Sequence, residues 1–274
     1  AFPKESCLLL YGDSEEDYRY TDLLVATIHQ LLHFYRAFDL IIVDEVDAFP
    51  YEGDQQLRFG LMNALKATGC LIYLSATPSD ALLKETTNFA VEKMPLRFHQ
   101  RPLIVPQLIW YEGWRNVYQT KRRLRRLLFH LQRLSQTNFV LVFCPSIVFM
   151  ERLEKAVRSF LKEETITSVS AKDPARIEKV VKARNSKYQI LFTTTILERG
   201  VTFENVSVVV MGADHPVFSK SALVQIAGRV DRKGPFNHGE VLFFYDQATS
   251  AIRKAILEIQ AMNRLAKEWL ASEV

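Results

Sequence analysis

The sequence predicts an α/β protein built on parallel, doubly wound sheets. Three observations predict it. Ile41-Ile42-Val43 is a short apolar run without polar alternation, which reads as a strand buried on both faces. Runs of this kind alternate with helical stretches in two successive series, the pattern of parallel sheets. Asp44, Glu45 and Asp47 follow Val43 directly, at the carboxyl end of a strand, where open α/β sheets place their ligands.

In chain order, Cys7 to Tyr11 reads as a strand ended by Gly12, followed by an acidic loop to Tyr20. Leu23 to Ala26 is a second strand. Thr27 can N-cap a helix through Phe38, which leads into the strand at Leu40. Phe59 to Lys66 reads as helix and Leu71 to Leu74 as strand, ending at Ser75-Ala76-Thr77-Pro78. From Met94 to Trp114 the pattern breaks: Pro95, Pro102 and Pro106 exclude a helix. This stretch reads as a connector and the first strand of a second domain. A helix from Val117 to Ser135 carries an apolar stripe of Leu124, Leu127, Leu128, Leu131 and Leu134. Lys121, Arg122, Arg125, Arg126 and Arg133 lie off the stripe, on a solvated face or beside a nucleic-acid track. Strands are expected at 139–143, 168–170, 189–192, 206–211 and 240–245. Helices are expected at 148–161, 174–184, 223–234 and 251–272.

With 274 residues and 48% hydrophobic content the chain is long enough for two ordinary domains and is not disordered. No window approaches the ~18 unbroken apolar residues of a membrane span, and Ala1-Phe2-Pro3-Lys4 opens no secretory segment. Cys7, Cys70 and Cys144 are far apart and form no C-x-x-C pair, which argues for buried thiols and against a zinc site. Residues 1–97 hold 8 Lys and Arg against 15 Asp and Glu, and the remainder 27 against 16. The second region is therefore the one suited to a polyanion.

Three constellations carry chemistry. Asp44 and Glu45 are placed to hold magnesium through its waters and to orient or deprotonate an attacking water; the competing reading is a solvated acidic turn. In Gln225-Ile226-Ala227-Gly228-Arg229-Val230-Asp231-Arg232 two arginines three apart share a helix face. They suit a phosphate undergoing transfer, or else surface ion pairs. Thr193-Thr194-Thr195 through Arg199-Gly200-Val201 ends a strand with hydroxyls and a turn closed by Gly. Such a turn offers donors to phosphates, or is ordinary strand-end capping.

In this order the pieces resemble the superfamily 2 helicases. Asp44-Glu45-Val46-Asp47 resembles motif II, Ser75-Ala76-Thr77 motif III, Val142 to Ser146 motif IV, Thr194 to Thr202 motif V, and Gln225 to Arg232 motif VI. Ala26 to Leu32, Asp47 to Tyr51 and Thr195 to Phe203 further resemble the ComFA family of bacterial late-competence proteins, ATP-driven motors of DNA uptake. PriA-type replication-restart helicases are the nearest alternative family.

The resemblance implies two RecA-like lobes. Residues 1–93 would be the C-terminal part of a first lobe with motifs Ib, II and III, residues 94–116 a connector and first strand, and residues 117–274 a complete second lobe. It implies ATP and magnesium (Mg2+) as cofactors. Asp44 would hold the magnesium, Glu45 would activate water, and Arg229 and Arg232 would meet the γ-phosphate, with Gln225, Gly200 and Thr202 in the nucleotide cleft. Asp47, Ser75 and Thr77 would couple that cleft to the DNA track, and Thr27, Ser146 and Thr194 would contact DNA phosphates. The implied partners are single-stranded DNA, other DNA-uptake proteins such as ComFC, and further copies of the chain. The implied location is the cytoplasm, peripheral to the inner face of the membrane. Asp231 and Thr202 depart from the family, which commonly has Gly and Asp there. No G-x-x-x-x-G-K-[ST] and no cysteine-rich zinc module occur in the sequence. The chain is thus expected to start partway through the first lobe, to lack ATPase activity by itself, and to show a gap in its first sheet. The competing class is a non-catalytic chain that binds DNA or a protein.

Overall fold

The computed structural model describes residues 5–12, 14, 18–47, 51, 53–97, 99–195, 202–232 and 238–272. The chain divides into two compact units, residues 1–90 and 91–274.

The first unit holds two separate two-stranded parallel sheets among its described residues. β1 (Cys7–Leu10) pairs with β2 (Leu23–Ala26), and β3 (Phe38–Val43) with β4 (Leu65–Tyr73). The interruption expected in this sheet is therefore present. A bulge separates the Phe38–Leu65 pair from Leu40–Cys70, so the strand starts six residues before the expected Leu71 while its regular pairing begins near it. α1 (Gln55–Ala64) is capped by Asp54, whose carboxylate accepts from the N–H groups of Gln56 and Leu57. A short helix, α2 (Asp80–Glu85), escaped the sequence reading although Ser79 caps it in the usual way.

Two expectations fail here. The helix from Thr27 to Phe38 is only a 3₁₀ segment, Ile28–His33. Arg36 and Ala37 instead give their N–H groups to the carbonyls of Asn63 and Ala64, and Arg36 takes a positive φ of 45°, so tertiary bonds end the helix. β3 is also not buried on both faces: Ile41 and Val43 are buried, whereas Leu40 and Ile42 are exposed. Ile41 and Val43 join Leu31, Leu57, Leu61 and Leu82 in one core. The described helices cover that face alone.

The second unit has the two-sided burial that the apolar runs predict. Its six parallel strands are ordered β5-β10-β9-β6-β8-β7: β5 (Gln107–Trp110), β6 (Phe139–Phe143), β7 (Ile166–Val169), β8 (Ile190–Thr193), β9 (Val206–Met211) and β10 (Val241–Tyr245). Side chains alternate across a strand. Val140 and Val142 enter a core with Leu124, Leu127, Leu131 and Leu134 of α3 (Lys121–Ser135) and with α4 (Ile147–Arg158). Leu141 and Phe143 enter the opposite core. There they meet Leu223 and Ile226 of α6 (Lys220–Ala227) and Ile252 and Ile259 of α7 (Ser250–Ser272). α5 (Arg176–Arg184) adds Ala183 to that side. The strands at 139–143 and 206–211 match the sequence reading to the residue. The expected helix 223–234 does not: α6 stops at Ala227. Among the described residues no helix is long and apolar enough to cross a membrane.

Burial also sorts the thiols. Cys7 and Cys70 are exposed, which corrects the expectation that all three are buried. Cys144 is buried, and burial pushes its pKa far above the ordinary thiol range. A thiol reagent should label Cys7 and Cys70 of the native chain and reach Cys144 only on denaturation. Mass spectrometry of the labelled peptides checks this, and rapid native labelling of Cys144 would contradict the packing of β6.

Candidate functional site

In the first unit Asp44, Glu45, Asp47, Ser75 and Thr77 follow the carboxyl ends of β3 and β4, whereas Thr27 follows β2. Asp44 and Glu45 follow β3 at once and are both exposed. Asp44 Oδ1 accepts the Glu45 N–H at 2.9 Å. Glu45 has φ +53°, a conformation uncommon for a residue with a Cβ and often found where backbone strain serves a site. The neighbouring backbone maintains it: Leu74 N–H donates to Val43 O at 2.9 Å and Val46 N–H to Leu74 O at 3.1 Å. Asp47 points inward. Its Oδ2 accepts the Thr77 hydroxyl at 3.0 Å, with both residues buried. Ser75 Oγ accepts the Thr77 N–H at 3.1 Å. The structure thus joins Asp47, Ser75 and Thr77, which the sequence holds about 30 residues apart.

Among the described residues no three His, Cys, Asp or Glu side chains come together as a metal cluster. Asp44 and Glu45 instead form a sparse, exposed carboxylate pair. That set fits magnesium, which keeps several waters and takes one or two carboxylates together with substrate phosphates.

In the second unit Gln225 lies half-buried on α6 and Gly228 caps the helix. Arg229 is buried and Arg232 exposed. The two arginines do not share a helix face, because α6 ends at Ala227 before either of them and Asp231 between them takes φ +62°. A left-handed residue ends a helix, and Gly tolerates it best, with Asp next. The departure to Asp231 thus falls where the backbone itself explains a preference for Gly. Two residues that sequence reasoning missed fix this turn. Arg97 Nη1 donates to Val230 O at 2.8 Å and Asp231 O at 3.2 Å, and its Nη2 to Gly228 O at 2.6 Å. Arg101 pairs with the Asp231 carboxylate at 3.0 Å. No local pattern marks either residue, since their partners lie 130 to 134 residues away.

The hydroxyl residues are more scattered. Ser146 is the exposed N-cap of α4, where its Oγ accepts the Phe149 N–H at 3.2 Å. As an acceptor in this bond, the hydroxyl keeps its hydrogen to donate. Beside this helix end lies a cavity of about 290 Å3 whose polar lining is Glu151, Ser168, Ser170, Lys172, Asp173 and Lys179. Thr194 is half-buried past β8, and the Thr193 hydroxyl donates to its carbonyl at 3.2 Å. Thr202 is half-buried. Gly200 lies outside the described residues. Thr27 is exposed and its hydroxyl makes no cap bond. On α3, Arg122, Arg123 and Arg126 line a second cavity, of about 230 Å3.

A model of the helicase conserved C-terminal domain matches residues 119–234, the span from α3 to just past the Arg232 turn. Over 262 residues the chain is 43% identical to Competence protein ComFA of Streptococcus pneumoniae, covering 94% of this chain and 60% of that one. The chain is similar to ComFA over nearly its whole length. ComFA of Bacillus subtilis is 38% identical over 273 residues, covering 97% of this chain and 58% of that one. The chain thus spans about three fifths of the length of these ComFA relatives. Among solved structures, Saccharomyces cerevisiae Dbp5 bound to RNA and ADP BeF3 matches with a TM-score of 0.66 at 15% identity, over 97% of this chain and 74% of that one. At that identity the match bears on fold alone, and it agrees with RecA-like α/β lobes built on parallel sheets.

Proposed function

We propose that this chain is the motif II to motif VI portion of an ATP-dependent, single-stranded-DNA motor that acts in DNA uptake during natural transformation. The observation that carries the proposal is the strand-end assembly in the first unit, with Asp44 and Glu45 exposed at the end of β3 and Asp47 bonded beneath them to Thr77. The ComFA relatives supply the biological setting.

In this reading Asp44 holds magnesium through water, with Oδ1 oriented by the Glu45 N–H. When bound, the ion would supply positive charge to offset that of the substrate phosphates. Glu45 orients the attacking water and takes its proton, held in place by its constrained backbone. Arg229 and Arg232 stabilise charge on the transferred phosphoryl group, and Gln225, Gly200 and Thr202 line the nucleotide cleft. Asp47, Ser75 and Thr77 carry the state of that cleft toward the DNA, whose phosphates meet Thr27, Ser146 and Thr194. The partners are single-stranded DNA, other uptake proteins such as ComFC, and further copies of the chain. The location is cytoplasmic, at the inner face of the membrane.

Phosphoryl transfer depends mainly on positioning, and the sequence holds no Walker loop to cradle the phosphates. The 274-residue chain by itself should therefore release no phosphate from ATP, whereas the full-length protein should, with stimulation by single-stranded DNA. Glu45→Gln preserves size and removes the base. It should leave ATP binding intact and lower turnover by about 10²- to 10⁴-fold, the usual worth of general base catalysis. Steady-state phosphate release and nucleotide binding test this together. Wild-type turnover in the Glu45→Gln protein would remove the hydrolytic reading of the β3 strand end.

DNA binding has its own signature. The basic excess of residues 98–274 and the hydroxyls at strand ends favour backbone tracking. Affinity for a labelled oligonucleotide should fall by about 0.7 log units per log unit of salt for each phosphate neutralised. A salt-independent affinity, or strong preference for one sequence, would point to another kind of binder.

A further inference from the structure

We propose that Arg97, assisted by Arg101, is a positioning residue for the arginine turn that follows α6. The inference rests on the functional reading above, and extends it to a residue outside every helicase-like motif in the chain.

The N–H groups of Arg229 and Val230 bond back to Ile226 O and Ala227 O, both at 3.2 Å, but the carbonyls of the turn from Gly228 to Arg232 need partners of their own. α6 has ended, Asp231 is left-handed at φ +62°, and a helix end leaves carbonyls without intrahelical partners. Arg97 supplies the missing donors. One guanidinium reaches three carbonyls, those of Gly228, Val230 and Asp231. Its planar fork is suited to this, since both terminal nitrogens act at once in a fixed geometry. The carbonyls also lie at the negative end of the helix, which favours a cation there. Arg101 adds a tether on the other side of the turn, pairing at 3.0 Å with the buried Asp231 carboxylate. Together the two clamp the main chain on both sides of Val230, which is itself fully buried. Arg229 and Arg232 flank that clamped dipeptide, so their Cα positions and exit directions follow from it.

Such a clamp matters because a transition-state contact tolerates little displacement. A shift of about 1 Å caused by a remote substitution can cost about 10²-fold in rate. Arg97→Ala removes all three donors. In the full-length protein it should lower kcat for DNA-stimulated ATP hydrolysis by about 10- to 100-fold, while KM for ATP changes less than threefold. Arg97→Lys keeps the charge but offers a compact ammonium in place of the fork. It should restore only part of the lost rate. Arg101→Gln removes the ion pair to Asp231 and should produce a smaller loss of the same kind, in a protein that remains folded.

Hydrogen exchange of the peptide covering residues 226–232 gives a readout independent of activity. Exchange in Arg97→Ala should rise there while the strands of the six-stranded sheet stay protected. Should Arg97→Ala fail to fold, Arg97→Lys and Arg101→Gln carry the same two measurements. Unchanged exchange across the turn, together with wild-type kcat, overturns the clamp. A full-length wild type that hydrolyses no ATP, but whose turn loosens in Arg97→Ala, removes the motor reading and with it the catalytic purpose of the clamp, leaving the structural contact standing. Faster exchange, reduced kcat and near-constant KM support both.

Discussion

Replacing Arg232 by alanine in the full-length protein is expected to lower DNA-stimulated ATP turnover by about 10³- to 10⁵-fold, the range over which arginine fingers act. In the proposed function this role falls to the exposed one of the two arginines. Arg229 is buried within the second unit, whereas Arg232 follows the left-handed Asp231 and is exposed. An exposed guanidinium on a fixed turn loses little by meeting a phosphate and gains most when charge builds on the transferred group. ATP binding should survive the substitution, so the loss should appear in kcat. Arg232→Lys should recover little, because one ammonium cannot reproduce the planar fork. Arg229→Ala should lose turnover as well, but with a drop in stability, since it empties a buried site. The measurement is phosphate release at saturating single-stranded DNA, with thermal unfolding of each variant alongside. Near-wild-type turnover in Arg232→Ala would place this arginine among surface charges.

The second large effect is on stability. Gly212→Ala should destabilise the second unit by about 2–5 kcal/mol, combining the left-handed backbone penalty with overpacking. Gly212 follows β9 with φ +69°, so any Cβ there is strained. An ideal Cβ would also sit 2.4 Å from Cη2 and Cζ2 of Trp114. The indole cannot retreat. It is 1% exposed, stands edge-on to Phe149 with centroids 5.4 Å apart, and is covered by the Arg115 guanidinium at 4.5 Å. Trp114→Phe opens room beside Gly212. The double variant should therefore cost less than the sum of the singles, a coupling that a double-mutant cycle reads directly. Urea unfolding followed by circular dichroism measures all four proteins. A Gly212→Ala protein within about 0.5 kcal/mol of wild type, the range of an unremarkable surface change, would show that this turn is not fixed as described.

What could be read in the sequence was what local pattern controls. Val206 to Met211 is apolar apart from the buried Ser207 and both its faces are covered, so composition and burial agree. The α3 leucines repeat every three or four residues and all face one core. Ile41 to Val43 has the same composition as the fully buried strands, yet the described helices cover only one of its faces. Composition alone does not distinguish the two cases. The Thr27 helix and the α6 end were misjudged for a shared reason: backbone groups found partners far along the chain, at Asn63 and Ala64 in one case and at Arg97 in the other. At the site, the residue types of motifs II, III and VI were legible. The positive φ of Glu45 and Asp231 was not, because tertiary bonds impose it. Arg97 and Arg101 carried no signal at all.

The six-stranded sheet also has a kinetic consequence. β5 is an edge strand whose neighbour is β10, with Gln107 opposite Leu242. The first strand of this unit thus waits for the last before it can pair. On a ribosome adding roughly 5–20 residues per second, the intervening stretch of about 130 residues takes roughly 6 to 26 s to appear. Through that interval β5 has no edge to join, and Arg97, just upstream, has no carbonyls to bind until residues 228–231 have been added. Closure of so long a loop is the slow kind of pairing. Folding of this unit is therefore expected to finish only after synthesis passes Tyr245, and nascent chains halted before β10 should remain protease-sensitive around residues 97–110 while longer ones become protected.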